Sequence, residues 1–185
     1  FMMDWSDFQS TTYNLAYSTV AFVDNVGNAE INGLELDATY KPNDSLTLSG
    51  YVVSNDPSLS EDYYDVSGVL QANSGNRLAY VPELSYVLGL DKVLSIFGMP
   101  GYVSVDYSYT GDRYTSQANE LKLPSYAIAN MRVGVESNNR SMEVFISNLT
   151  DENGYLSRYN DFGDIRRTQN LSLIHISEPT RLCRI

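Results

Sequence analysis

The residue types that most often carry out chemistry are scarce in this chain. It has one histidine, His175, and one cysteine, Cys183, and both fall in its last fifteen residues. An imidazole beside a thiolate can form a nucleophile–base pair, and with carboxylates the same side chains can hold zinc. One of each, with nothing similar upstream, is a weak signal. Carboxylates are the remaining option. Glu61, Asp62 and Asp65 could offer oxygens to Ca²⁺, yet they lack the alternating ligand spacing of a dedicated calcium loop, and a solvated acidic loop is the plainer reading. Elsewhere the acids are dispersed rather than paired in one loop, and no serine has a histidine to activate it. The sequence therefore points to no catalytic residue, no metal and no cofactor, and away from an enzyme.

The two exceptional residues are also suspect in origin. Leu171 to Arg181 reads LSLIHISEPTR, which resembles a translated frame of the transposase adapter used to prepare sequencing libraries; residues 182–185 would then be index sequence. The chain is accordingly divided into residues 1–170 and a non-native tail, residues 171–185, which carries no functional argument. The first part then has neither Cys nor His, which removes disulfides and nitrogen or sulfur metal sites from consideration.

The elements that would position any site are strands. Leu34, Leu36, Ala38 and Tyr40 alternate with Glu35, Asp37 and Thr39, so a period of two puts every apolar side chain on one face. The pattern recurs at Leu84, Tyr86, Leu88 and Leu90, and at Val103, Val105, Tyr107 and Tyr109. Segments of about ten residues exceed the usual five or six of a soluble sandwich and suit a tilted bilayer crossing. On the opposite face Asp37, Asp106, Arg132, Glu136 and Glu143 would line a wet lumen, where charge escapes the penalty it meets in lipid. Fifteen tyrosines suit aromatic girdles at the two membrane interfaces; strand propensity alone is the alternative explanation.

Composition agrees. A net charge of −11, with only 12 scattered basic residues, excludes a nucleic-acid partner, because phosphate binding needs clustered Lys and Arg. No run of 18 apolar residues exists, so transmembrane helices are not expected, which says nothing against a barrel. Phe1 opens inside a strand-like stretch with no secretory signal, and the natural N-terminus is expected upstream.

Along the chain, strands are expected at Phe1 to Gln9, Asn28 to Tyr40, Ser45 to Ser54, Tyr80 to Val93, Tyr102 to Asp112, Pro124 to Ser137, Ser141 to Leu149 and from Ile165 to Asn170. Ser10 to Gly27 is a polar connection carrying some strand of its own. Short turns at Lys41 to Asp44, Ser95 to Gly101 and Asn138 to Arg140 alternate with long loops at Asn55 to Ala79, Arg113 to Leu123 and Thr150 to Asp164. That alternation suits a barrel with one end in the periplasm, the short-turn end, and the other outside.

Several stretches resemble the C-terminal part of TonB-dependent outer-membrane receptors. Asp4-Trp5-Ser6-Asp7-Phe8-Gln9 is similar to that family's aromatic-Asp-Trp-x-Asp-x-Gln element, and Gly27 to Leu36 to its Asn-Ala-x-x-x-Gly-hydrophobic-Glu strand. Gly75 to Pro82 resembles the element that ends a long loop, with Ala79 where proline is usual. Leu123 to Tyr126 and Ile146 to Glu152 resemble the final hairpin region. The five stand in family order across nearly all of residues 1–170, while the aromatic residue that usually ends the family's last strand is absent.

The resemblance implies an all-β fold: an antiparallel transmembrane wall of about eight consecutive strands from a barrel of about 22. As a fragment it would be an open, curved sheet with two unpaired edges, prone to aggregate when expressed alone. The implied location is the outer membrane of a Gram-negative bacterium, in contact with the lipid bilayer and lipopolysaccharide. The implied function is active import of a scarce nutrient such as a ferric siderophore. TonB would act through a plug region that precedes Phe1, and no substrate bond would change. External loops would touch the ligand, which makes Tyr63, Tyr64 and Arg77 in the first long loop and Arg113, Tyr114 and Gln117 in the second the candidate binding residues; solvated loop surface is the alternative for each. The rival function is a passive porin or diffusion channel. An outer-membrane enzyme and a soluble β-sandwich module come behind it, the second disfavoured by long strands with one uniformly apolar face.

Overall fold

The structure, a computed structural model, describes residues 1–13, 21–65, 67–137, 140–161 and 164–169. The tail at residues 171–185 with His175 and Cys183, the end of the last expected strand at Asn170, and Asn138 and Asn139 of one expected turn lie outside the described residues.

Fifteen strands and no helix occur among the described residues: β1 (Met2–Trp5), β2 (Gln9–Tyr13), β3 (Ala21–Asn25), β4 (Ala29–Asn43), β5 (Leu46–Leu59), β6 (Tyr63–Tyr64), β7 (Leu70–Ala72), β8 (Leu84–Ile96), β9 (Met99–Thr110), β10 (Arg113–Tyr114), β11 (Lys122–Leu123), β12 (Tyr126–Ser137), β13 (Arg140–Ile146), β14 (Tyr155–Asp161) and β15 (Asp164–Gln169). Seven make one antiparallel sheet in the order β1-β4-β5-β8-β9-β12-β13, and β1 does not pair with β13, so the sheet is open. The others pair as β2-β3, β6-β7, β10-β11 and β14-β15.

A single register runs across the wall. Leu36 faces Val52, Val52 faces Tyr86, Tyr86 faces Tyr109, and Tyr109 faces Ala127. Met131 and Val133 continue the same face onto Ile146 and Val144 of β13. The expected apolar residues thus form one surface from β4 to β13. Among the described residues no second layer covers it: Leu34 is 70 % exposed and Leu36 59 %. Water would penalise such a surface at roughly 25 cal/mol per Å², whereas lipid would not, so the face is built for a bilayer rather than for a sandwich core.

The opposite face is polar and internally bonded. The Tyr102 ring lies across Gly134, where an added Cβ would come within 2.4 Å of the ring, and its hydroxyl donates to the Glu143 carboxylate. These residues stand in one row, Tyr102 paired with Gly134 and Gly134 with Glu143. Tyr51 likewise donates to Glu35, and Asn130 donates to Asp106 at 2.6 Å while accepting the Asn148 N–H at 2.9 Å. Asp37, Asp106, Arg132, Glu136 and Glu143 all occupy this face. The tyrosines divide: Tyr40, Tyr86, Tyr107 and Tyr109 lie on the apolar face, with the Tyr86 and Tyr109 rings stacked at 4.9 Å, whereas Tyr51, Tyr102 and Tyr126 lie on the polar one. Girdle chemistry therefore accounts for only part of the tyrosine excess.

The short turns are tighter than expected. Ile96 pairs with Met99, which leaves Phe97 (φ 53°) and Gly98 (φ 79°) as a two-residue hairpin turn in place of Ser95 to Gly101; positive φ at both central positions matches the strand twist. Asn43 pairs with Leu46 past an irregularity that contains Pro42, a residue without a ladder donor, and the Asn43 side chain accepts the Ser45 N–H at 3.0 Å.

The long-loop end departs further. The expected first strand breaks at Asp7 (φ 54°), and Gln9 starts β2, which pairs with β3. β5 continues to Leu59 and the segment expected to be loop holds β6 and β7, while β8 begins at Leu84, after a stretch in which Tyr80 adopts φ 63°. The segment expected as an eighth wall strand forms β15, paired with β14 rather than with β13. Asn148 (φ 51°) and Asp151 (φ 52°) turn the chain after β13, and Asn148 locks that turn with reciprocal bonds of 3.0 Å to the Glu152 backbone.

Candidate functional site

The buried apolar cluster of the molecule sits at its long-loop end. Val26, Ala29, Leu59, Tyr63, Ala72 and Leu78 pack together, with Phe8, Ile31 and Val81 against them. Tyr63 is 6 % exposed and donates to Asp24 at 2.8 Å, so it fixes the first loop to the β2-β3 hairpin. Tyr64, next in sequence, points away and is 53 % exposed, as alternation on β6 requires.

The acidic trio is drawn into the same framework. Glu61 accepts the Asn28 N–H at 2.8 Å and Asp62 the Ser74 N–H at 2.7 Å. Asp65 accepts the Ser67 and Val69 N–H groups at 2.8 and 3.0 Å. Each carboxylate braces a different stretch of backbone, and no group of three His, Cys, Asp or Glu converges among the described residues.

Arg77, Tyr114 and Gln117 are brought together where the first and second loops meet. The Arg77 guanidinium donates to Asp112 Oδ2 at 3.0 Å and to the Asp112 carbonyl at 2.8 Å, and lies 5.4 Å from the centre of the Tyr114 ring. Its Nε is at ion-pair distance, 3.1 Å, from Glu83. Lys122 approaches Asp112 at 2.9 Å and Tyr114 at 5.9 Å. The Lys122 ammonium, and after it the Arg77 guanidinium, hold the Asp112 carboxyl below its ordinary range against an opposing push from burial. Asp112 in turn raises Lys122.

Amide side chains close the same junction. The Asn119 amide accepts the Arg77 N–H and donates to the Arg77 carbonyl, both at 2.8 Å, reproducing a strand pairing with one side chain. Gln117, 8 % exposed, accepts the Ala79 N–H at 3.1 Å, and its carbonyl accepts from Asn76 at 2.8 Å. Asp112 and Asn119 were not legible as partners of Arg77, because those contacts span 35 and 42 residues, and nothing local marked Glu83 or Lys122 as members of the same junction.

Arg113 faces the other way, toward the third loop. It is 6 % exposed, stacks 5.4 Å from the Tyr126 ring and donates from Nη2 to the Tyr155 carbonyl at 3.1 Å. Gly154 makes this approach possible: a Cβ there would fall 2.9 Å from the Tyr126 ring. The family model described as TonB dependent receptor-like, beta-barrel matches residues 1–149. The chain belongs to the TonB-dependent receptor family.

Solved structures of similar fold include the ferric yersiniabactin uptake receptor FyuA from Yersinia pestis, at TM-score 0.73 and 17 % identity over 91 % of this chain and 24 % of that one. The siderophore receptor PiuA from Acinetobacter baumannii is similar at TM-score 0.64 and 22 % identity, covering 80 % of this chain and 21 % of its own. BauA, the ferric preacinetobactin receptor from Acinetobacter baumannii, has TM-score 0.60 and 17 % identity, with 97 % and 25 % covered. The chain thus spans about a quarter of the length of these receptors. In this TonB-dependent receptor wall, five of the six candidate residues are structural members of a packed loop body, and Tyr64 is the one displayed to solvent.

Proposed function

We propose that the complete protein is an outer-membrane active transporter that captures and imports a scarce nutrient, with a ferric siderophore as the nutrient class in view. This chain supplies part of its wall and its folded external loops. The observation that carries the reading is the pairing of an uncovered apolar face, continuous from β4 to β13, with long loops packed into one body at a single end. A passive channel has use for the first feature, and a receptor that must grip its cargo has use for both. Membership of the TonB-dependent receptor family supports the same reading and brings TonB as a partner, acting through a plug outside this chain. Transport changes no bond in the cargo, in keeping with a loop body whose carboxylates serve as braces.

The test is uptake of radiolabelled ferric siderophore by cells carrying the complete gene in an otherwise receptor-free background. Saturable uptake abolished by loss of TonB is the expected result. Uptake that persists without TonB and does not saturate would instead mark a porin.

A further inference from the structure

One charge interrupts the middle of the apolar face. Lys92 of β8 shares a register row with Leu46, Val103, Val133 and Val144. Leu90 and Leu94, its neighbours on the same strand and face, are 38 % and 37 % exposed. The ammonium reaches along the sheet to the β4-β5 turn and donates to Ser45 Oγ at 3.0 Å, and Ser45 in turn donates to Asn43 at 2.7 Å. Among the described residues this is its one hydrogen bond, and no carboxylate, Asp44 of the same turn included, lies at ion-pair distance from it. Two of the three ammonium protons are left for a group outside the wall.

The depth of this charge follows from strand tilt. Barrel strands tilt by about 35–45°, so points of equal depth run diagonally across the register, by about one residue per strand. The turns give the sense of the diagonal: β5 begins at Leu46, opposite Lys92, whereas β8 runs on to Ile96 before it turns. Tyr40, in the row of Leu90 on the second strand before β8, and Arg140, in the row of Ser137 on the third strand after it, fall on the diagonal through Lys92. Both lie on the apolar face, and both are residue types that suit a membrane boundary. The acids in regular register on this face, Asp4, Glu30 and Asp56, stand at the long-loop end instead. The outward face is therefore signed, with its cations toward the short turns. Leu94 and Ile96 carry the apolar surface past Lys92, so its free protons open among lipid headgroups rather than into bulk water. We propose that Lys92, braced by Ser45, seats the headgroup phosphate of a phospholipid in the leaflet on the short-turn side. The acyl chains would lie along Leu46, Leu90 and Val103, and the bond from ammonium to phosphate is of the charge-assisted kind. The proposal requires the apolar face to lie in a bilayer and is independent of what the receptor carries.

The experiment uses the complete receptor in nonionic detergent and follows acetylation of Lys92 by peptide mass spectrometry. Added phosphatidylglycerol should slow the reaction at least fivefold, and diacylglycerol with the same chains should not. No slowing by phosphatidylglycerol overturns the seat. Equal slowing by diacylglycerol also overturns it, because acyl coverage would then suffice without the phosphate. Slowing by lipopolysaccharide but not by phosphatidylglycerol overturns it as well, since that lipid belongs to the opposite leaflet. Native mass spectrometry supplies the second readout: Lys92→Met should lose one tightly held phosphatidylglycerol that the unsubstituted receptor and Lys92→Arg both keep. Retention of that lipid by Lys92→Met counts against the proposal. If Lys92→Met does not reach the membrane, the labelling of the unsubstituted receptor decides alone.

Discussion

The two loop junctions use the same cation in opposite ways. Between the first and second loops, Arg77 and Lys122 converge on Asp112, with Glu83 alongside, and the charges nearly cancel within the junction. Between the second and third, Arg113 and Arg158 are held by carbonyls and a ring, and among the described residues neither is in an ion pair. A neutralised junction is a fastening, because its energy is already realised in the free protein. The lesson is that a buried arginine is read by what surrounds it, and sequence position alone assigned Arg77 and Arg113 the same role.

That contrast can be broken most forcefully at Arg77. Arg77→Ala strips Asp112 of one counter-charge and removes a ring contact, and should loosen the first two loops by about 1–3 kcal/mol, seen as faster hydrogen exchange at residues 76–79 in the complete receptor. An unchanged exchange rate would show the fastening to be idle. Asn119→Ala removes both bonds to the Arg77 backbone and should cost about 1–2 kcal/mol by the same readout.

Arg113→Met should go the other way. In the ligand-free receptor, replacing an uncompensated buried cation by an apolar side chain of similar length should leave the thermal midpoint unchanged or raise it. A midpoint lowered as far as in Arg77→Ala would erase the distinction between the junctions.

Acid sharpens the difference with a smaller effect. Asp112 is held below its ordinary range, so its contribution is present above the unfolded-state value of about 4 and is lost as pH falls through the lower folded value. Lys122 is raised, so its share persists below its unfolded value of about 10.4 and fades only at higher pH. Spin labels on the first and second loops should separate below about pH 4, whereas labels on the second and third should not respond in that window. Smallest of all, Tyr64→Ser should change stability by no more than about 0.5 kcal/mol in a melting experiment, since its ring is displayed and unpacked.

The wall was legible because a period of two needs no tertiary knowledge: Leu34 to Tyr40 and Val103 to Tyr109 declare their faces locally, and the register kept them together. Boundaries were less legible. Phe97 as a turn residue and Pro42 inside β4 follow from pairing on both sides, which a lone segment does not reveal. The eighth segment was misplaced because β15 pairs with β14, the strand just before it in sequence, rather than with β13. In the loops, residue type singled out Tyr63 and Gln117 but did not reveal their bonds to Asp24 and to the Ala79 backbone, and Arg158 carried no signal until β14 brought it to Lys122.

The unbroken register from β4 to β13 also imposes a parity rule on this wall. Removing a single residue from the middle of β8 would exchange Leu88 for Val87 or Gly89 at the lipid and would turn the downstream half of that strand inside out. The two-residue turn at Phe97 and Gly98 would carry the error straight into β9. Long loops erase such errors, because their length has no fixed sense of in or out. Insertions and deletions in relatives of this chain should therefore collect at one end of the wall, the end that carries the long loops.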